Sequence, residues 1–357
     1  MAEFYTIKVA DLYKETRDCV VISFDIPAHL RSKFAFKQGQ HITLRKMING
    51  EDIRRNYSMC SSPLDHQWKV AVKAIPGGVF SNFANTSLNI GDELDLMPPH
   101  GEFYVEVDPP SSNNYIAFAA GSGITPLLSI IKTHLTQEPK STFKLFYLNR
   151  TVKSIIFKEE IEQLKNQFFD RFQVFYFLTK EKRDIPFLNG RFDEEKMQVL
   201  TKTFIDVADT NHVFICGPQS MIFLIRDALE AAGLERDKIH YELFFSGASE
   251  ADTLQIAEVL EHKTEGTQVT IINGGTEFRF VMDNEYDNIL DGALAAGADL
   301  PYACKGGVCS TCKCKVIDGT VAMKVNYALE EKEVAQNFVL SCQAVPTTQE
   351  VVVDFDV

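Results

Sequence analysis

The chain lacks any apolar run approaching the ~20 residues that a membrane-spanning helix needs, so no helical membrane anchor is expected. Its first stretch, "MAEFYTIKVADLYKETRD", lacks the basic-then-apolar pattern of an export signal. Low-complexity tracts and internal repeats are missing as well. Positive charge is in deficit: 36 Lys and Arg face 49 Asp and Glu, a formal net charge of −13. A general nucleic-acid binder would show a basic footprint, so that class is set aside. Tryptophan is reduced to one residue, Trp68, which falls in an expected strand and reads as packing. These absences point to a soluble, cytoplasmic protein, whose 357 residues suggest two or three domains.

The acidity is uneven. Residues 265–357 carry 14 acids against six bases, a net −8, and residues 246–264 a net −3, which leaves only −2 for the first 245. Such a shift separates a C-terminal domain from the rest. Eight cysteines in a chain without an export signal point to reduced thiols, metal or redox chemistry rather than structural disulfides.

The first hundred residues read as short strands. "VVISFDI", "HITLRKM" and "WKVAVKAI" lie between the turn signals "QGQ", "SSP" and "PGG", and "GDELDLMPPHGEF" adds another strand. A small antiparallel barrel is expected over residues 1–108. From Asn114 strands alternate with helices: "YIAFAAGSGITPLLSIIKTHL", "FKLFYLNR", "FKEEIEQLKNQ", "FQVFYFLT", "HVFICGP" and "SMIFLIRDALEAAG". This rhythm predicts a parallel, doubly wound α/β domain over 109–245. Residues 246–264, polar and rich in small residues at the start, read as an interdomain linker that could include a helical turn. In 265–357, "VTIINGGTEFRFVM" predicts a hairpin on a Gly-Gly turn, and "NILDGALAAGADLPYAC" a helix that breaks at Gly297.

"PYACKGGVCSTCKCKV" crowds four cysteines into eleven positions. Cys304, Cys309 and Cys312 are spaced C-x4-C-x2-C, and Cys342 follows in "VLSCQ". That is the plant-type spacing for a 2Fe–2S cluster. Two bridged irons need four converging thiolates, and Gly306 and Gly307 let backbone amides approach the sulfurs. Structural zinc is the alternative, although it more often takes two close pairs of ligands. Cys314 reads as a small side chain packed beneath the loop, or else as a redox-sensitive neighbour.

A one-electron centre needs a donor. "RRNYSMCSSP" holds Arg55, Tyr57 and Ser58, which can offer a flavin a phosphate partner, an aromatic surface and a donor near its N5. In "GGVFSNF", Gly78 and Ser81 stand at a helix start suited to a pyrophosphate. "AGSGITP" places Gly121, Gly123, Thr125 and Pro126 between a strand and a helix, with Pro126 expected at the first helical position. The glycines leave room for a nicotinamide dinucleotide. "FICGP" brings Cys216, Gly217 and Pro218 to the end of another strand, where α/β sheets bind ligands. Arg150, ending "LFYLNR", could clamp a 2′-phosphate, which favours NADPH over NADH.

In this order the motifs resemble the ferredoxin–NADP reductase superfamily with a plant-type ferredoxin domain of the β-grasp fold at the C-terminus. "YTIKVADLYKETRD", "GQHITL", "RRNYS", "NRTVKSIIF", "DLPYACKGGVCSTCKCKV" and "VLSCQAVP" extend the resemblance to the reductase components of phenylacetyl-CoA ring epoxidases. Phthalate dioxygenase reductases are similar in domain order, but use FMN. The resemblance implies a reductase that passes electrons from NADPH through FAD to the cluster and on to a di-iron oxygenase, in phenylacetate degradation. A reductase for a different oxygenase is the alternative within this class, and a zinc-holding redox sensor the alternative outside it. The resemblance also assigns roles. Arg55, Gly78 and Ser81 would hold the flavin pyrophosphate; Tyr57 would stack on the ring. Ser58, Cys216 and Glu242 are the catalytic candidates, with Thr125 beside the nicotinamide and Phe244, in "YELFF", at the flavin's other face. Finally, Lys305, Lys313 and Lys315 predict a basic rim around the cluster for an acidic acceptor, with the acids of the domain set apart in sequence.

Overall fold

The computed structural model describes residues 3–244 and 250–357, the latter with side chains from 252. Among them no helix is long and apolar enough to cross a membrane. They form two compact units: Tyr5–Ile53 with Tyr57–Phe244, and residues 250–357 with 3–4 and Arg54–Asn56.

The larger unit begins with six strands: β1 (Tyr5–Thr16), β2 (Cys19–Asp25), β3 (His41–Ile48), β4 (Glu51–Ser58), β5 (Trp68–Lys73) and β6 (Glu93–Leu96). Helix α1 (Val79–Thr86) lies between β5 and β6 in sequence. The sheet order is β4-β3-β6-β1-β2-β5, and an antiparallel bridge from Met59 to Val70 brings its two edges together. The expected barrel is therefore present. Alternation accounts for it: Ile7, Val9, Val20, Ile22, Ile42, Leu44, Val70 and Val72 face one apolar interior. Trp68 packs against that cluster and donates its indole N–H to the Phe34 carbonyl at 2.6 Å.

Five parallel strands follow: β7 (Asn114–Ala120), β8 (Thr142–Asn149), β9 (Phe172–Leu178), β10 (His212–Gly217) and β11 (Ile239–Leu243). Between them run α2 (Ile124–Gln137), α3 (Lys158–Gln167), α4 (Glu194–Val199) and α5 (Gln219–Ala231). Their order is β11-β10-β7-β8-β9. Strand order reverses between β7 and β10, and a crevice opens past the carboxyl ends of strands at such a point. Tyr115–Ala119 and Val213–Gly217 are buried without a break, as strands covered on both faces must be. Barrel and α/β sheet share a buried polar network. Glu138 accepts from the Asp108 N–H at 3.1 Å and from Tyr115 Oη at 3.0 Å, and pairs with His134 Nδ1 at 2.8 Å. Gln38 Nε2 donates to the Val105 carbonyl at 2.8 Å beside that histidine.

The smaller unit starts with α6 (Glu250–Glu261). The expected linker, 246–264, lies partly outside the described residues, and Glu250–Glu261 within it form a helix of 12 residues, longer than a single helical turn. Next come β12 (Gln268–Asn273), β13 (Thr276–Val281), α7 (Ile289–Ala295), β14 (Lys313–Asp318), β15 (Val321–Met323), α8 (Glu331–Ala335), β16 (Phe338–Leu340), β17 (Ala344–Pro346) and β18 (Glu350–Asp354). The main sheet runs β13-β12-β18-β14-β16, with β15 and β17 paired apart. The β12–β13 turn is the expected Gly274-Gly275 pair, at φ of 62° and 69°. Asn288 caps α7 by accepting from the Asp291 N–H at 2.9 Å, and Gly297, at φ 96°, follows its end.

Candidate active site and cluster loop

The cysteine loop joins α7 to β14. Cys309, Cys312 and Cys342 are buried and Cys304 is half-buried. The thiols come as two hydrogen-bonded pairs, Cys304 with Cys309 and Cys312 with Cys342. Among the described residues no three His, Cys, Asp or Glu side chains gather closely enough to hold one metal ion. Two pairs are what two bridged irons require, whereas a single zinc needs four ligands on one centre. Donors already point at the sulfurs: the Gly306 N–H reaches Cys304 Sγ at 3.3 Å and Gln343 Nε2 reaches Cys342 Sγ at 3.4 Å. Donation from Cys309, then the Gly306, Val308 and Cys309 N–H groups, outweighs burial and brings the Cys304 thiol down to about 6. The donor set thus fits a 2Fe–2S cluster.

The loop is wound tightly to achieve this. Lys305 and Ser310 hold positive φ of 52° and 37°, conformations costly for side-chain-bearing residues. A Cβ on Gly307 would stand 3.1 Å from Val325 Cγ2 and 3.2 Å from Gln343 Cγ. Gln343 also donates to the Lys305 carbonyl at 3.1 Å, so one side chain ties the loop to the fourth cysteine. Its amide beside Cys342 was the available sequence signal, and sequence reasoning passed over it. Cys314, on β14 opposite Val339, is fully buried in the apolar core of the unit, and burial pushes its thiol up.

The expected basic rim is not basic. Lys305 Nζ lies 2.7 Å from Asp291 Oδ1 and Lys313 Nζ lies 3.0 Å from Glu333 Oε1. Lys315 Nζ sits 5.6 Å from the centre of the Phe338 ring. Acids distant in sequence return to the loop in space and cancel two of its three lysines.

In the barrel, β4 carries the flavin candidates. Arg55 is exposed, its guanidinium donating to the Arg54 carbonyl at 2.7 Å. Tyr57 is half-buried, its ring 5.5 Å from that of Phe80, and Ser58 is buried. Gly78 stands at the N-cap of α1 with no side chain to satisfy the first-turn N–H groups, which suits an anion. Ser81, inside that first turn, accepts from the Ile75 N–H at 3.3 Å and donates to the Gly78 carbonyl at 3.4 Å. An aromatic face, a hydroxyl and an open helix start are the groups a flavin dinucleotide needs, so these residues fit FAD.

The glycine turn after β7 and the end of β10 meet at the strand-order reversal. A Cβ on Gly123 would stand 2.2 Å from the Cys216 carbonyl oxygen, so this glycine makes room for β10, not for a ligand. Gly121, at φ 53°, has only Lys73 Nζ within reach of its Cβ position, at 3.7 Å. Lys73, a cation closing the apolar run of β5, is a further candidate that sequence reasoning left unassigned. Thr125 is buried and donates to the Ser122 carbonyl at 3.0 Å. Pro126 occupies the third helical position rather than the first, still within the turn whose N–H groups lack helical acceptors. Gly217 ends β10 and Pro218 is the N-cap of α5. Arg150 is exposed just past β8, which ends one residue earlier than expected, at Asn149.

Glu242, on β11 beside Cys216, accepts from Ser58 Oγ at 3.0 Å. The three catalytic candidates are therefore brought together. Burial, then the Glu242 carboxylate, pushes the Cys216 thiol far up, so it supplies a neutral wall. Phe244 follows β11 and packs against the core around Cys216.

Comparisons with known proteins match three domain families along the chain. Residues 6–104 match the oxidoreductase FAD-binding domain, 118–227 the oxidoreductase NAD-binding domain, and 271–347 the 2Fe–2S iron–sulfur cluster binding domain. The chain is 43% identical to a component of the 1,2-phenylacetyl-CoA epoxidase of Escherichia coli (strain K12), over 100% of this chain and 99% of that one. It is 31% identical to the ferredoxin reductase component of 3-ketosteroid-9-alpha-monooxygenase of Rhodococcus rhodochrous, over 98% and 96%. Phthalate dioxygenase reductase shares the fold at a TM-score of 0.61 and 22% identity, covering 99% of this chain and 98% of that one. With flavin, nucleotide and cluster domains in one chain, and a full-length relative at that identity, this protein belongs to the family of FAD- and NAD-binding, 2Fe–2S oxygenase reductase components that includes the phenylacetyl-CoA epoxidase component.

Proposed function

We propose that this reductase takes electrons from NADPH and delivers them to a multicomponent, di-iron oxygenase, the phenylacetyl-CoA 1,2-epoxidase. The observation that carries the acceptor is the 43% identity with the epoxidase component, spread over the whole chain. When bound, FAD would accept hydride from the nicotinamide, and the cluster would release electrons singly to the oxygenase. Arg55 and the open start of α1, with Gly78 and Ser81, hold the flavin phosphates; Tyr57 covers the ring. Ser58, its proton given to Glu242, presents its oxygen to the flavin, with Glu242 fixing its direction. Gly121, Thr125, Gly217 and Pro218 shape the nicotinamide cleft against the neutral wall of Cys216, and Phe244 closes it. Cys304, Cys309, Cys312 and Cys342 ligate the cluster. Domain limits fall at 1–108, 109–245 and 265–357, and the enzyme works in the cytoplasm, where thiols stay reduced.

Reconstituted turnover with the oxygenase components of phenylacetyl-CoA epoxidase is the test, run beside those of 3-ketosteroid-9-alpha-monooxygenase. NADPH-dependent epoxidation with the first and little product with the second is expected; the reverse pattern would overturn the acceptor. For the nucleotide, Arg150→Ala should raise the KM for NADPH about tenfold and leave NADH little changed. Equal effects on both would refute a 2′-phosphate clamp.

A further inference from the structure

The Ser58–Glu242 pair has a third buried neighbour. Glu242 commits one oxygen, Oε2, to the Ser58 hydroxyl, while Oε1 faces His41 Nδ1 at 3.7 Å. His41 opens β3, held by paired backbone hydrogen bonds of 2.9 Å with His100, whose ring meets it edge-on at 6.2 Å. The residue is 6% exposed, and its buried Nε2 has no hydrogen-bond partner among the described residues. Gly101 clears the space for the ring: at φ 117°, its Cβ would stand 3.0 Å from Nδ1. A buried imidazole with one nitrogen aimed at a carboxylate and the other at nothing is not explained by packing, because apolar side chains would fill that space without an unsatisfied group.

We propose that His41 is a positioning residue for the Ser58–Glu242 pair. Its Nδ1–H orients Glu242 Oε1 and so keeps Oε2 turned to the Ser58 hydroxyl. The proposal rests on the reading that Ser58 and Glu242 serve the flavin. Electrostatics selects the tautomer. A proton on Nε2 would leave a buried donor unpaired and turn the Nδ1 lone pair toward a carboxylate; a proton on Nδ1 avoids both. The 3.7 Å separation exceeds a hydrogen bond and leaves a charge–dipole contact with the same orientational preference.

Two measurements on the full chain loaded with FAD test this. In ¹⁵N-histidine NMR, with the His41 signals identified by their loss in His41→Asn, Nδ1 should carry a proton. A bare Nδ1 overturns the proposal, whatever the variants do. In stopped flow, His41→Leu should slow flavin bleaching by reduced nicotinamide roughly tenfold with KM little changed. His41→Asn, whose amide restores a donor near Nδ1, should recover to within about threefold of the parent. Combining His41→Leu with Glu242→Gln should cost no more than Glu242→Gln alone; multiplied losses would mean that His41 acts elsewhere. If Ser58→Ala and Glu242→Gln bleach at the parent rate, the flavin-site reading itself fails. If they are slow while His41→Leu is not, His41 alone is misassigned.

Discussion

At Cys342 one thiol meets its neighbour Cys312 and the amide of Gln343, while two positions past Cys312 another thiol, Cys314, is fully buried in the apolar core of the unit. The difference predicts opposite outcomes for one chemical change. Cys342→Ser should bleach the cluster's visible absorption and leave flavin content and the reduction of small-molecule acceptors intact. Cys314→Ser should keep a normal cluster and cost about 1–2 kcal/mol of stability for a polar atom in an apolar site. An ordinary cluster spectrum in the first variant would place the fourth ligand elsewhere. These candidates could be picked out in the sequence because three of the four cysteines sit on one short loop, where coordination geometry would dictate spacing. Lys73 and His41 could not, since each gains its interest from a partner far along the chain: Gly121 for the lysine, Glu242 for the histidine.

Among the elements, the start of α2 is tightly confined by the end of β10. The Cys216 carbonyl occupies the volume of a Gly123 side chain, so Gly123→Ala forces the helix start and the strand end apart. A loss of about 2–4 kcal/mol in urea denaturation is expected, with weakened nucleotide binding because the same two ends frame the cleft. Unchanged stability would show that the ends separate at little cost. "AGSGITP" announced a tight turn, but nothing near it in sequence names residue 216 as what fills the space. Barrel and α/β sheet are joined through Glu138. Burial pushes its carboxyl up, but hydrogen bonds from His134, Ser141 and the Asp108 N–H prevail and hold it down to about 2, below an ordinary 4.5. A depressed carboxyl stabilises the fold fully above the unfolded value, and that contribution drains away as pH falls through the folded one. Glu138→Gln should therefore cost on the order of 3 kcal/mol at pH 7, and the gap between parent and variant should close between about pH 4.5 and 2. A gap that stays constant with pH would assign the cost to packing. Periodicity made these strands and helices legible, whereas α6 was expected only as a helical turn within a linker, because small and polar residues open that segment.

Across the whole molecule, negative charge gathers in residues 265–357, and the salt bridges at Lys305 and Lys313 leave the cluster loop no basic collar. Electron delivery to a basic one-electron acceptor protein should then slow several-fold as salt rises from about 20 to 300 mM, because screening removes an attraction. Lys305→Ala, which releases Asp291, should steepen that dependence. A rate indifferent to salt would remove charge from the encounter. Local charge along the sequence suggested the opposite sign, since lysines crowd the cysteines there and their acidic partners do not. The order of the cluster unit's sheet bears on how it is made. Its central strand, β18, follows every other strand of that sheet in sequence, and it is the one that joins the β12–β13 hairpin to β14 and β16. Until residues 350–354 emerge, the hairpin has no sheet to enter and the loop bearing three thiols has no finished frame. Iron loading should thus wait until β18 has closed the sheet that frames all four sulfurs.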